Sequence, residues 1–581
     1  MPSSLLKRFK RFTITNPQEK ISWQSRIIAL GLGGLYPLGF APFNIWPLTI
    51  VSLIGWCLIM IDIHPRAGFR KGWWYGFGVF GVGVCWVFVS IHNYGGASIP
   101  LATTITTICA AGLGIFFAFT GYFWAKIAVS YAPLLSGAAL WVLSEWCRSW
   151  AFSGFPWLYT GYAFIDTPLR GFAPLGGVLL VSFVAIITAQ GIALCLYLEG
   201  HQILSKLNWA RVRPTFLFLI GLWAGGWALS LVEWTSIQKN EPIRAQLVQG
   251  NIEQSMKWDA SERQKIIETY LDLTRNYFNK PHTSTANAEA NGRALNDASI
   301  KTLIVWPESA LPMYLEDAEP SFVQILNYLK GKNADLIAGQ MFNEELSTAE
   351  SDPSVFNSLL AWPADSAFSD RQVYKKQQLV PFGEYIPLSN SLGTVLPFLK
   401  EFAKFSLKEG DRFQNPFDLG TYSVAPSICY EIAFPETVRK MSLSAEILVT
   451  VSNDAWFGNS HGPAQHFEMV RMRSLELGRY TLRATNTGIT GIIDPQGYVV
   501  NQLPTFKAGV LIEEVYPVVG QTPYGRFGAL PLLLICGAII LLVGIIHWFV
   551  HYLQRASTKN MTAAELIKAK QKNPSKNAHR R

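Results

Sequence analysis

Charge is scarce in this chain. Only 15% of its 581 residues are Asp, Glu, Lys or Arg, half are hydrophobic, and the mean hydropathy is positive. That balance excludes an ordinary soluble protein and points to a membrane protein. Cysteine is scarce where it would count for cross-linking. Of the seven, Cys57, Cys85, Cys109, Cys147, Cys195 and Cys536 lie inside apolar runs, where a free thiol is a small hydrophobe. Cys429 alone falls in the polar part of the chain, so it cannot staple its own domain and is either filler or a reactive group. No phosphate-cradling glycine loop and no Ser and His nucleophile pairing stands out. His461 and His466 lack the helical spacing and carboxylate company of a metal pair, so structural hydrogen bonding is expected of them, with no metal and no cofactor. The net charge of +9 sits mostly in tails and loops, not in a basic stripe, and implies no nucleic acid partner.

What the chain does have is long apolar runs. A bilayer core of roughly 30 Å takes about 20 apolar residues per helical crossing. Eight candidate runs lie near Ile27–Phe40, Trp46–Ile63, Gly72–His92, Leu101–Val129, Pro133–Trp150, Phe172–Leu198, Pro214–Leu231 and Phe527–Val550, the first broken by glycines and Pro37. The expected organisation is a basic tail at 1–26, a helical membrane domain at 27–232, an extramembranous α/β domain at 233–526, a closing helix at 527–551 and a basic tail at 552–581. The N-terminus shows no small-residue cleavage site, so its first run is expected to remain as an anchor.

Basic residues in short loops set orientation. Lys7, Arg8, Lys10, Arg11, Lys20 and Arg26 place the N-terminal tail inside, and Arg66, Arg70 and Lys71, then Lys206, Arg211 and Arg213, mark further inside loops. Arg555, Lys559 and the lysines that follow mark the C-terminal tail, whereas the loops near Pro42 and Ser98 carry no basic residue. Seven crossings then leave the α/β domain outside the cytoplasm.

Within that domain three strand ends carry reactive side chains. KTLIVW (301–306) breaks at Pro307 before Glu308; QQLVPFGEY (377–385) follows Lys375 and Lys376 and turns at Pro381 and Gly383 before Glu384; and 422–428 runs into Cys429, Tyr430 and Glu431. Strand-to-turn junctions expose a nucleophile on a rigid support. A thiol that attacks a carbonyl needs a group to take its proton and a positive group for the oxyanion, and this set holds both.

The order Glu, Lys, Cys resembles the nitrilase superfamily. VWPESALP, YKKQQLVPFGEYIP, SICYEIAFPE and VSNDAWFGNSHGPAQHFEMVRMRSLELGRYTLRATNTGITGIID, with a helical part before them and one helix after, are more similar still to its membrane-embedded family, the apolipoprotein N-acyltransferases. The resemblance covers nearly the whole chain. It implies a polytopic α-helical membrane bundle joined to an αββα sandwich, with no cofactor. It implies Glu308 as general base, Lys376 rather than Lys375 as stabiliser of the tetrahedral intermediate, Cys429 as nucleophile, and Glu384, Tyr430 and Glu431 as auxiliary groups. Trp258 resembles an aromatic residue of a loop that contacts lipid, against the alternative of an ordinary half-buried ring. The implied reaction is ping-pong acyl transfer from a phospholipid, through a Cys thioester, to the α-amino group of a diacylglyceryl cysteine at the N-terminus of an apolipoprotein. The implied setting is the bacterial inner membrane, with the catalytic domain periplasmic. One departure is a polar insertion at His282–Asp297.

Glu145 and Arg148, at i and i+3 near the outer end of a crossing, are expected with Trp157 to line a lipid entrance, the alternative being a plain ion pair. Two rival functions remain: a membrane-anchored nitrilase-like amidase that uses water as acceptor, and a non-enzymatic lipid carrier or scaffold.

Overall fold

The computed structural model describes residues 22–61, 63–128, 133–198, 209–279, 300–344, 354–387 and 406–572. The insertion at 282–297, Lys206 and most of the basic N-terminal tail lie outside these residues.

Among the described residues, four helices are long and apolar enough to cross a membrane: Ile99–Ile127, Pro168–Tyr197, Val212–Ser230 and Leu530–Val550. A fifth span arises if Pro65–Gly83 and Trp86–Tyr94, bent by 53° at their junction, are taken as one. The other expected runs differ for physical reasons. Trp23–Leu35 gives way at Pro37 to a short 3-10 turn, Tyr36–Gly39. Trp46–Ile59 has 14 residues, about 21 Å at 1.5 Å per residue. Pro133–Arg148 has 16 and carries two charges near its end. Helix surfaces at Ile108, Phe119, Phe216, Leu217, Leu534 and Leu541 are exposed, an apolar exterior suited to lipid.

The α/β part is a sandwich of two sheets. One runs, in spatial order, Gly509–Val515, Ile243–Gln249, Lys301–Val305, Ala334–Glu344, Ser354–Trp362 and Gln372–Lys375, with Leu311–Tyr314 paired off the path. The other runs Val499–Gln502, Gly491–Ile493, Tyr480–Thr485, Ile447–Ser452, Ser423–Ile428 and Phe417–Asp418. Both faces of the first sheet are buried, and its residues alternate accordingly. Leu303, Val305, Ile337 and Leu359 point inward to meet Val424, Val449 and Leu482 of the second sheet. Ile304, Trp306, Leu336 and Leu360 point outward under the helices Arg263–Asn279 and Leu315–Leu329.

The second sheet is covered by Gly462–Leu477, and this helix belongs to two cores. Phe467, Val470 and Leu477 pack on the sandwich, while Met469, Met472 and Leu475 pack among the membrane-domain residues. A polar lock reinforces the junction. The helix Ala173–Leu198 breaks at Gly176 and Gly177, the latter at φ 71°, so Val178 opens a new helical segment with an orphan N–H. Glu476, fully buried on the catalytic side, accepts that N–H at 2.6 Å and takes Arg473 at 3.0 Å.

Glu476→Ala leaves the Arg473 charge buried and unmatched and removes the acceptor of Val178, a loss of about 3–5 kcal/mol. The full-length protein in detergent is expected to melt several degrees lower, with Glu476→Gln intermediate between it and wild type.

Candidate active site

Three chain segments deliver the reactive groups to one end of the sandwich. Ser423–Ile428 ends at Cys429, whose φ of 51° places a non-glycine residue in the left-handed region. That turn lifts the sulfur off the strand and leaves it partly exposed. Lys301–Val305 ends before Glu308, and Ser309 beside it is also left-handed, at φ 47°. The glutamate's backbone rests on Gly339, where a Cβ would lie 2.5 Å from the Pro307 carbonyl oxygen and 2.6 Å from the Glu308 Cα. Gln372–Lys375 ends before Lys376. The segment 377–385 forms no strand beyond an isolated bridge between Pro381 and Tyr385, and its turn brings Glu384 back over Lys376.

The charged groups meet in a small, dry cluster. Lys376 Nζ, 1% exposed, lies 2.7 Å from Glu384 Oε1 and 3.6 Å from Glu308 Oε1. Asn357 Nδ2 donates to both carboxylates, at 2.7 Å to Glu308 and 2.9 Å to Glu384. The Asn453 N–H donates to the second Glu308 oxygen at 2.7 Å, and Val380 N–H to the second Glu384 oxygen at 2.8 Å. Burial opposes the Lys376 charge, but Glu384 and Glu308 outweigh it and hold the ammonium above its usual range. Burial, then the Glu308 charge, pushes the Cys429 thiol up, against the pull of Lys376 and a hydrogen bond with Ser452. The thiol therefore rests protonated, and a carboxylate stands within its electrostatic reach.

Glu431 is fully buried and ties two of these segments together. Its Oε1 accepts from Tyr374 Oη at 2.9 Å and from Gln377 N–H at 2.6 Å, and its Oε2 accepts from Ile428 N–H at 2.6 Å. The segment carrying Lys376 is thereby fixed to the residue before Cys429. Burial raises the Glu431 carboxyl to about 7, while its ring of donors favours the charged form. Tyr430 turns the other way, into the membrane domain, and donates to the Gly154 carbonyl at 2.9 Å.

Glu145, Arg148 and Trp157 are placed differently from the lipid-lining edge expected of them. All three are 1–2% exposed. Glu145 accepts from Trp141, from the Thr160 N–H and from the Thr160 hydroxyl; Arg148 donates to the Trp157 carbonyl at 3.1 Å and lies over the Phe80, Phe117 and Tyr159 rings. Trp157 in turn donates to Gln465 and stacks on His466. Through His466 the group reaches the Cys429 turn. Trp258, by contrast, is 51% exposed, at the end of the short helix Gln254–Lys257.

Asn357 and Lys257 escaped the sequence reading, whereas His466 has the structural hydrogen bonding expected of it. Asn357 is the lone amide in an apolar strand, SVFNSLLAW, which is the signal that could have found it. Lys257 donates to the Glu308 carbonyl at 3.1 Å. His466 places Nε2 3.0 Å from the Cys429 carbonyl oxygen. Its Nδ1 lies between Arg483 at 3.1 Å and Asp454 Oδ1 at 3.3 Å, while Nε2 faces a carbonyl oxygen, which only accepts, so Nε2 carries the proton given to Cys429. Burial and then Arg483 hold the imidazole below its ordinary value, against the pull of Asp454 and the Cys429 carbonyl, and keep it neutral.

His466→Phe keeps the stack on Trp157 and deletes the donor to the Cys429 carbonyl, a cost of about 1–3 kcal/mol at neutral pH. Because the folded imidazole resists protonation, the unfolded chain takes up the proton first as pH falls below about 6.5, and wild type loses that share of stability. The gap in melting temperature between wild type and variant is therefore expected to narrow on acidification.

Comparison with known proteins follows the same division of the chain. Residues 32–191 match the family model described as apolipoprotein N-acyltransferase N-terminal domain, and 244–524 match that of carbon-nitrogen hydrolase. Proteins named apolipoprotein N-acyltransferase are 38% identical over 537 residues in Pseudomonas syringae pv. tomato, covering 90% of this chain and 96% of that protein, and 37% identical over 539 residues in Azotobacter vinelandii, covering 91% and 95%. A carbon-nitrogen hydrolase crystal structure from Helicobacter pylori G27 is 16% identical with a TM-score of 0.34, covering 48% of this chain and 89% of its own. With both domain models matched in order and this identity sustained along nine-tenths of its length, the chain belongs to the apolipoprotein N-acyltransferase family.

Proposed function

We propose that this membrane acyltransferase moves the sn-1 acyl chain of a phospholipid to the α-amino group of a diacylglyceryl cysteine at the N-terminus of an apolipoprotein, by way of a thioester on Cys429. The observation that carries this reading is the cluster in which Lys376 stands between Glu308 and Glu384, beside a thiol on a left-handed turn. Glu308 takes the Cys429 proton as the sulfur attacks the ester carbonyl. The oxyanion forms beside the Lys376 ammonium. Collapse breaks the ester C–O bond, and the departing lysophospholipid oxygen takes the proton back from Glu308. In the second half the amine attacks the thioester, Glu308 accepts the amine proton, an amide forms and the C–S bond breaks. Cys429 is then reprotonated. Glu384 and Asn357 hold Lys376 and Glu308 in register throughout.

Membrane attachment suits such substrates. Each CH₂ brought into water costs about 0.8 kcal/mol, so neither lipid can travel to a distant site. Tyr430, adjacent to the nucleophile, is bonded to the Gly154 loop of the membrane domain, which supports acylation at the bilayer surface. The exposed Trp258 ring is a suitable lipid contact. The distribution of basic loops supports a periplasmic catalytic domain on a bacterial inner membrane.

Purified full-length protein given phospholipid with a labelled sn-1 chain is expected to gain one acyl mass on the peptide containing Cys429, released by hydroxylamine. Cys429→Ala is expected to gain none, and an adduct that resists hydroxylamine, or no adduct in wild type, refutes the thioester. Glu308→Gln is expected to slow its formation by about 10²–10⁴-fold, the usual worth of a general base. Rapid hydrolysis of small amides with no lipid adduct would favour a membrane-anchored amidase.

A further inference from the structure

Cys85 lies inside an apolar run of the sequence, yet the fold gives its thiol a polar partner. It stands at the junction where Pro65–Gly83 and Trp86–Tyr94 bend by 53°, and it is exposed there. Pro65–Gly83 has 19 residues, about 28 Å of helix, which matches a bilayer core of roughly 30 Å. With Arg66, Arg70 and Lys71 at the start of that helix, the thiol comes out at the opposite surface. The α/β domain meets it on that surface. His461 Nε2 lies 3.8 Å from Cys85 Sγ, across 376 positions of sequence.

The imidazole is held in place by its surroundings. His461 caps the helix Gly462–Leu477, and its carbonyl accepts the Gln465 N–H at 3.1 Å. Its ring lies against Phe43, and a ring N–H donates to the Gly83 carbonyl. A neutral imidazole has one donor and one acceptor nitrogen, so Nε2 is left to accept from the thiol. Burial outweighs the bond to Gly83 and holds the ring below its ordinary value, and Glu468, on the same helix, turns to the Ala41 N–H instead. The bend is tied to the same stretch of the α/β domain at two further points. Ser90 Oγ donates to the Trp456 carbonyl at 2.8 Å, and Trp86 packs edge-on against Phe457. Thiol and base thus come from two clamped domains, in fixed register.

Attack on a carbonyl would also require groups aimed at an oxyanion. Displacement at a disulfide sulfur requires only a thiol, a base and access, because the leaving thiolate carries the charge away. We propose that Cys85 and His461 form a second reactive pair, apart from the Cys429 cluster, at which small disulfides add to the protein. As the Cys85 sulfur attacks, its proton passes to His461 Nε2. A new S–S bond joins Cys85 to one half of the disulfide, the old S–S bond breaks, and the departing thiolate takes the proton from the imidazolium. Cys85 is oxidised to a mixed disulfide, and the released half is reduced to a thiol. The adduct replaces the sulfur–imidazole contact, so the modified sulfur sits in the seam between the bent span and the α/β domain.

Neither phospholipid nor apolipoprotein enters the test, so its outcome is independent of any thioester on Cys429. Full-length protein in detergent is incubated with oxidised glutathione across pH, and mixed disulfides are assigned by mass spectrometry on the peptides containing Cys85, Cys429 and the partly exposed Cys147. At neutral pH Cys85 is expected to gain the adduct about tenfold faster than Cys147, and dithiothreitol to remove it. With His461 as base, the Cys85 rate stays level from about pH 8 down to the range where the imidazole takes up a proton, below about 6.5. A thiol without a base instead loses about a factor of ten per pH unit over that interval. His461→Gln is expected to restore that slope, to slow Cys85 by about tenfold at neutral pH, and to match wild type in strongly alkaline solution, where the thiolate forms unaided. A Cys85 rate no greater than that of Cys147, a wild-type rate that falls about tenfold per pH unit, or a His461→Gln profile lowered by one factor at every pH overturns the proposal. If His461→Gln does not fold, the wild-type slope decides.

Discussion

The site depends on holding an ammonium and two carboxyl groups together in a place with little water. Taking an ion out of water costs several kcal/mol, which close pairing recovers only when the remaining lone pairs and protons are also satisfied. Here Asn357, the Asn453 N–H and the Val380 N–H do that work, each from a different strand or turn. The sandwich is needed because no single segment could bring these donors together. The glycine at 339 belongs to the same requirement, since any side chain there would push Glu308 out of the cluster.

The Cys429 turn is the second dependent element. A left-handed cysteine is strained and persists only where its surroundings fix it. Three supports do so from three directions. Glu431 pins the residue before it to the lysine segment, His466 holds its carbonyl, and Tyr430 anchors the residue after it in the membrane domain. The Glu145 and Arg148 pair reaches the same point through Trp157, which stacks on His466. Burial of ions within the helical part thus stiffens a loop on the catalytic side.

Much of this was legible in the sequence, for identifiable reasons. The continuous apolar run in KTLIVW and the turn after Ile428 announced buried strands with reactive residues beyond their ends, and Glu308 and Cys429 do follow two such strands. Lys376 instead follows Gln372–Lys375, while 377–385, read as a strand end, turns back without one. Long-range partners were not legible. Lys257 meets Glu308 across 51 positions and His466 meets Cys429 across 37, and no local pattern encodes either. Glu145 and Arg148 were recognisable as costly charges, but a helical spacing does not tell whether a helix face meets lipid or protein. Hydropathy likewise found apolar runs without foreseeing the bend after Gly83 or the short length of Trp46–Ile59.

The double allegiance of Gly462–Leu477 has a practical consequence for anyone wishing to isolate the reactive half. Cut away from its helical partner, that half would present Met469, Met472 and Leu475 as a greasy stripe. Tyr430 would lose its anchor one residue from the sulfur. The chemistry cannot be peeled off as a water-soluble module. Its reactive geometry is a property of both halves folded together.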